Sequence, residues 1–430
     1  MNSQPYQPYQ RFTLAMLMAV VVISIVDKLI FAFAGPAIIR DLSLTPVEFG
    51  YAASAFFFVY SIAGVTVGFL ANRVKTKWIL IGMSLVWAVS QFMVSFAGSF
   101  AVLVASRLLL GAGTGPATAV TQHAGFKWYQ VNERISVSTM VHISMLIGGL
   151  LASAVLPLSI ERLGWRTSYL LLGLISVVWV ALWLPFSREG SVGDQGGVDE
   201  GPKQPYRRLL LNRSFLMIAL MGIICYLPSV LGVSWLAVFL QQGVGLSAAQ
   251  TSIYLTAMAV TLIMISLLMS ARSKRALRKG ASFRKAMVWP GLFACMLGAA
   301  AYVGMRYASG NAALTLTLYF VGSVAMHVFP PFAFAIIASL SGTTQRGAML
   351  AIQNGLASVG GVVAPALIGH MISAAGGDVS AGLVTFLTLC GAAALVTSIL
   401  ALMLLDPERT RKDLEQDSLG QAHLRPPAAI

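Results

Sequence analysis

Three ionisable side chains stand deep inside apolar runs of this 430-residue chain: Asp27 and Lys28, adjacent, and Arg107. A charge at the bilayer centre costs about 2.5–3.5 kcal/mol on insertion scales, so one without a task tends to be lost or to reach outward. Together the three sum to +1. The chemistry open to them is the reception of a carboxylate: Arg107 offers a bidentate fork, Lys28 a point charge, and Asp27 adjusts the balance and is placed to carry a proton. The same residues also allow a fixed brace, Asp27 paired with Arg107 and Lys28 snorkelling outward, although one cation would then lack a partner.

The elements that must position these charges follow from composition. The chain is 57% hydrophobic and 10% charged, with a mean hydropathy of +0.79, whereas soluble domains sit near ~45–50% and ~25%. Long continuous apolar runs exclude a β-barrel, and the fold class is all-α, embedded in a membrane. Twelve helices are expected near 12–34, 47–71, 78–98, 100–123, 136–159, 167–186, 213–241, 249–270, 286–307, 312–340, 346–374 and 380–405. A Gly-rich, acidic break after the sixth divides the chain into a six-helix bundle (1–186), a central linker (187–212), a second six-helix bundle (213–405) and a tail (406–430). The segment Leu44-Thr45-Pro46-Val47-Glu48-Phe49-Gly50 after helix 1 is echoed by Leu246-Ser247-Ala248-Ala249-Gln250-Thr251-Ser252 after helix 7, which fits two parallel repeats.

Charge placement agrees with that count. With the N-terminus inside, about 23 of the 29 Lys and Arg fall on one side, which puts both termini in the cytoplasm of a bacterial-type inner membrane. The net charge of +14 therefore reads as topology and not as a nucleic-acid surface, and the basic run Arg272–Lys285 as a loop beside lipid headgroups. On these boundaries Asp27 lies roughly 8 Å, and Arg107 roughly 10 Å, below the outer edge of the hydrocarbon core, so the charges share a level. Cys225, Cys295 and Cys390 lie in apolar runs without metal-like spacing, and neither a metal site nor a cofactor is expected.

Several motifs resemble the major facilitator superfamily. Gly68-Phe69-Leu70-Ala71-Asn72-Arg73-Val74-Lys75 is similar to its helix 2–3 signature, in which Gly68, Asn72 and Arg73 would gate one face, with Asn72 where an Asp is usual. Gly164-Trp165-Arg166, and Asn354 with Gly360-Gly361 and Pro365, match as well. Within the superfamily, Asp27-Lys28, Asp41-Leu42-Ser43-Leu44 and Arg107 through Pro116 resemble the anion:cation symporter family, with Thr114 where a proton-coupling Glu is usual. The resemblance implies two pseudo-symmetric six-helix bundles and uptake of a small organic anion, a sugar acid or aromatic acid, with protons, Na+ being the alternative coupling ion.

The remaining candidates have ordinary readings beside their functional ones. His142 and His327 could titrate in place of the missing acid, or simply bond a neighbouring helix; His327 precedes Phe329-Pro330-Pro331, where a helix should break. Tyr60, Tyr226, Trp235, Gln353 and Asn354 could shape an organic-acid pocket or serve as packing. Gly111–Gly115 and Gly360–Gly361 suit close helix packing. Nothing resembles an ATPase module, so the reading is a monomeric secondary transporter, no enzyme, whose partners are the anion, protons and membrane lipids; an exporter on the same fold and an anion sensor are the alternatives.

Overall fold

The computed structural model describes residues 7–70, 74–129, 134–187, 204–308, 310–341 and 343–422, which contain helices and no strand. Twelve helical spans among them are long and apolar enough to cross a membrane, and each overlaps its expected place; the first runs on to Asp41 and the eighth to Arg278, well past the expected ends at 34 and 270, so the basic residues Arg272 to Arg278 are helical and not part of a loop. The first six are α1 (Gln7–Asp41), α2 (Pro46–Leu70), α3 (Thr76–Ser95), the pair α4 (Phe100–Thr114) and α5 (Ala117–Phe126), α6 (Arg134–Leu163) and α7 (Trp165–Phe186). After α8 (Tyr206–Leu211) come α9 (Arg213–Ser229), the single turn α10 (Leu236–Val238), α11 (Ala248–Arg278), α12 (Trp289–Gly304), α13 (Ala312–Met326) with α14 (Phe329–Leu340), α15 (Thr343–Ala374), α16 (Val379–Leu404) and α17 (Pro407–Ala422).

Broken spans follow local chemistry. Gly115-Pro116 separates α4 from α5, and the span of α13 and α14 is interrupted at His327-Val328, just before the two prolines. The seventh span was expected to be continuous to 241. Beyond Ser229 it passes instead through a 3-10 turn (Val230–Val233), a turn at Ser234-Trp235, α10 and a π segment (Phe239–Gly243). Pro228, which cannot donate to the helix ladder, lies one residue before that departure. Just before this span, the expected polar linker is helical over α8, where Leu209 is buried, and Gln204 exchanges two hydrogen bonds with the Gln345 amide at 2.8 and 2.7 Å.

The internal echo has a structural cause. Thr45 and Glu48 form a capping box at the start of α2: the Thr45 backbone N–H and hydroxyl donate to Glu48 Oε2 at 2.8 Å each, and the Glu48 N–H donates to Thr45 Oγ1 at 3.2 Å. Ser247 and Gln250 repeat it at the start of α11, at 2.9 and 3.2 Å. Glu48 is thereby committed to a cap.

The chain forms two compact units: residues 1–197, 229–261 and 358–386 make the first, and residues 198–228, 262–357 and 387–430 the second. In the first, α1 packs on α6 and α7, α2 on α4, and α3 on α4 and α7. In the second, α12 packs on α13 and α14, and α14 on α17. Two motifs of the first unit that are far apart in sequence meet: the Trp165 indole donates to Asp41 Oδ2 at 2.8 Å, and Arg166 pairs with the same oxygen at 3.4 Å. Gly164 holds φ +80, a conformation in which a side chain is strained, so it fixes the turn that presents them.

Candidate functional site

The charges found in sequence are gathered by close helix packing. Gly111 of α4 and Gly115, the residue just past its end, face the carbonyls of Phe56 and Tyr60 on α2, and a Cβ at either glycine would strike those oxygens. This small-xxx-small contact lets the two backbones approach. It brings Arg107, one turn before Gly111, against the ring of Phe56. The guanidinium carbon lies 4.7 Å from that ring's centroid and 4.2 Å from that of Phe31 on α1. Arg107 is 1% exposed, and its Nε and one Nη have no hydrogen-bond partner in the protein.

Lys28 is treated differently by the fold. Its ammonium sits 5.1 Å from the Tyr60 ring centroid and 5.7 Å from that of Phe57, and the side chain is only partly buried. Aromatic faces stabilise a cation without spending its hydrogen-bond donors on a counter-charge. Asp27, next to it in sequence, is fully buried; neither of its oxygens has a hydrogen-bond partner, and it forms no ion pair with Lys28 or Arg107. The expected alternative of a permanent Asp27–Arg107 brace is absent from this arrangement.

Two further side chains complete the cluster, and the sequence reading passed over both. Gln91 on α3 lies beside the Asp27 carboxylate without the geometry of a formed hydrogen bond. Tyr169 on α7 lies within electrostatic range of both Arg107 and Asp27, its hydroxyl likewise unpartnered. Both are fully buried. A buried polar group left unpaired costs about 1–3 kcal/mol, so a knot of four such side chains is a local expense that packing alone does not explain. The available signal was a lone amide in an apolar span for Gln91; Tyr169 carried none beyond its place four residues after Trp165.

The other expected site residues are placed as follows. Thr114, standing where the resembled family has an acid, is buried. Tyr60 is half-buried beside Lys28, and one residue on, Ser61 shares a 2.8 Å hydrogen bond with Ser358 of α15 in the same unit. Trp235 is 1% exposed, donates its indole N–H to the Pro365 carbonyl at 3.1 Å and packs edge-on to Phe49. In the second unit Gln353 is buried and donates to the Ile218 carbonyl at 3.1 Å, leaving its Oε1 unpartnered, while Asn354 is exposed and Tyr226 half-buried. His327 Nδ1 is 2.7 Å from the Ser323 carbonyl, as the ordinary reading of a membrane histidine expects, and His142 is exposed on α6. Gly68 falls in α2, and Asn72 and Arg73 lie outside the described residues. The neighbouring Lys77 caps the end of α7, donating to the Leu184 carbonyl at 2.7 Å. Among the described residues no group of His, Cys, Asp or Glu is arranged to hold a metal.

The chain as a whole is similar to known transporters. A hexuronate transporter of Bacillus subtilis is 23% identical over 367 residues, covering 83% of this chain and 86% of its own length. A D-galactonate transporter of Escherichia coli O6:H1 is 22% identical over 384 residues, covering 84% and 88%. Among solved structures, a bacterial homologue of the human lysosomal transporter Spinster, in an inward-facing and occupied conformation, aligns with a TM-score of 0.79 at 14% identity over 95% of this chain and 98% of that one, a likeness of fold. The Major Facilitator Superfamily matches residues 16–314, and with its twelve spans the chain belongs to that superfamily of membrane transporters.

Proposed function

We propose that the protein is a secondary transporter that takes up a small organic anion, a monocarboxylate of the sugar-acid or aromatic-acid kind, together with a proton. The observation that carries this reading is the pair of cations in the first unit, Lys28 and Arg107, held by aromatic rings and not by Asp27. Their positive charge is therefore unspent, and a carboxylate is the group that would meet it. The relatives whose names specify hexuronate and D-galactonate support the same class of cargo.

In this reading Lys28, the more accessible cation, receives the carboxylate as a point charge, with Tyr60 beside it. Arg107, buried against the rings of Phe31 and Phe56, supplies a fork for the carboxylate or the field that draws the anion in. Asp27 is the proton carrier: an anion bound at the cations cancels part of their charge and makes protonation of a nearby carboxylate easier. Substrate and proton would then load together. The two six-helix halves are the moving bodies in this reading, with both termini in the cytoplasm of an inner membrane.

The test is competition in proteoliposomes. Against uptake of a radiolabelled sugar acid, a carboxylic acid should compete at least about tenfold better than its neutral amide of the same shape, since a charge-assisted bond contributes about 1.5–3 kcal/mol. Equal inhibition by acid and amide would reject the charge-based site.

A further inference from the structure

We propose that a cavity of about 770 Å³ in the second unit is a binding site for the headgroup of an anionic phospholipid. It is enclosed by α8, the first residues of α9, Arg284, the end of α16 and the start of α17. Nothing in the transport reading uses it.

Its position sets its level in a bilayer. Arg213 opens one apolar span, Arg284 opens another and Leu404 closes a third, and all three line the cavity. Three span ends meeting at one place put the cavity where hydrocarbon gives way to headgroups. Under the topology proposed above this is the cytoplasmic side, where basic pockets between helices take acidic lipid headgroups.

Its charge selects the ligand. Five arginines line it (207, 208, 213, 284 and 409) against Asp406 and Asp413, a formal excess of +3. Asp406 is already engaged: its Oδ1 accepts the Arg409 backbone N–H at 3.1 Å as the cap of α17, and its Oδ2 lies 3.7 Å from Arg284. Arg284 also donates to the Leu402 carbonyl at the end of α16, and its Nε is buried without a partner. Arg207, Arg213 and Arg409 are exposed at the same cavity. Arginine suits phosphate because its planar fork meets two oxygens at once.

A phosphodiester headgroup and a free phosphate share that chemistry, and the rim distinguishes them. Leu211, Met403 and Leu404 line the cavity while being 59%, 72% and 43% exposed. A soluble anion has no use for this apolar lip, whereas the acyl chains of a lipid would lie along it as the phosphate entered among the arginines. The bound lipid would tie α8 and α17, two short elements outside the spans, to the membrane end of the unit.

The experiment uses the full chain, purified in a neutral detergent, with three additions: phosphatidylglycerol, phosphatidylcholine and inorganic phosphate. Phosphatidylglycerol should raise the thermal midpoint by several degrees and survive as an adduct in native mass spectrometry, while the other two do neither. R207Q/R213Q should bind phosphatidylglycerol about 30-fold more weakly, roughly fivefold for each arginine removed near an acidic headgroup. Equal effects of phosphatidylcholine would overturn the site. An equal effect of inorganic phosphate would overturn the lipid assignment, as would undiminished phosphatidylglycerol binding by a folded double variant. Should the double variant fail to fold, the three additions to the unmodified chain still decide.

Discussion

Replacing Lys28 with glutamine removes the accessible cation of the cluster and nothing else of comparable size. The ammonium has no carboxylate partner to be orphaned: its neighbours are the rings of Phe57 and Tyr60, at 5.7 and 5.1 Å. The fold should therefore survive the change, and the loss should appear in binding. Two unit charges about 4 Å apart in a medium of effective dielectric ~20 attract by about 4 kcal/mol. Desolvation takes back part of that, leaving the ~1.5–3 kcal/mol typical of a charge-assisted bond. The expected consequence is a KM for the transported acid raised about 10- to 150-fold, since each ~1.4 kcal/mol is a factor of ten. Maximal velocity should fall less.

A second readout separates charge from shape. Lys28→Gln lowers the formal sum over Asp27, Lys28 and Arg107 from +1 to zero, so the preference for an acid over its amide should collapse while amide binding is unchanged. Lys28→Arg keeps the charge and should keep the preference. The assay is competition against radiolabelled uptake in proteoliposomes, with the thermal midpoint as control for folding. A Lys28→Gln carrier that still prefers the acid by the wild-type ratio refutes the reasoning, and the anion must then be received elsewhere.

Arg107→Lys preserves charge but not the guanidinium plane beside Phe31 and Phe56, and is expected to raise KM about tenfold if the fork touches cargo; wild-type KM would leave Arg107 a purely electrostatic part. Asp27→Asn imitates the protonated acid and should retain counterflow exchange while losing accumulation, which for one coupled proton and a gradient of about two pH units would reach about 100-fold in the wild type. Accumulation by that variant would move coupling to His142, His327 or another ion. Gly111→Ala, whose Cβ would meet the Phe56 carbonyl, should lower the thermal midpoint through about 1–3 kcal/mol of overpacking between α2 and α4; an unchanged midpoint would show that the helices can part there freely.

How much of this was legible in sequence depended on the kind of signal. Spans were legible because crossing hydrocarbon demands about 20 apolar residues in a row, whatever the fold. The break before Pro330 was legible from the missing donors of two prolines, while the longer disruption from Val230 to Gly243 followed from Pro228 only through its tertiary setting. The repeat at Thr45 and Ser247 was visible as a weak similarity, and its meaning, two capping boxes, needed the hydrogen bonds. The helix α8 was missed because Tyr206–Leu211 is too short to announce itself, and its order comes from burying Leu209 and from the Gln204–Gln345 exchange.

For the site, the difficulty lies in what a membrane helix hides. A face turned to lipid and a face turned to another helix are equally apolar, so periodicity does not reveal which residues point inward. Charges escape this ambiguity because they are costly wherever they point, and Asp27, Lys28 and Arg107 could be found on that ground alone. Polar and aromatic residues do not escape it. Gln91 and Tyr169, which lie buried close to Asp27, stand out in the sequence no more than the other amides and tyrosines of the spans. What the sequence could not anticipate is how the cations are held. A brace with Asp27 was the economical solution for two opposite charges at one depth, and the fold instead spends four aromatic rings, Phe31, Phe56, Phe57 and Tyr60, on Lys28 and Arg107. A ring stabilises a cation by its quadrupole and leaves the N–H groups available, whereas a carboxylate would occupy them. In the transport reading proposed above, holding the cations in this way would keep them competent for an incoming acid and Asp27 unpaired for a proton, two requirements that a salt bridge between them would have defeated together.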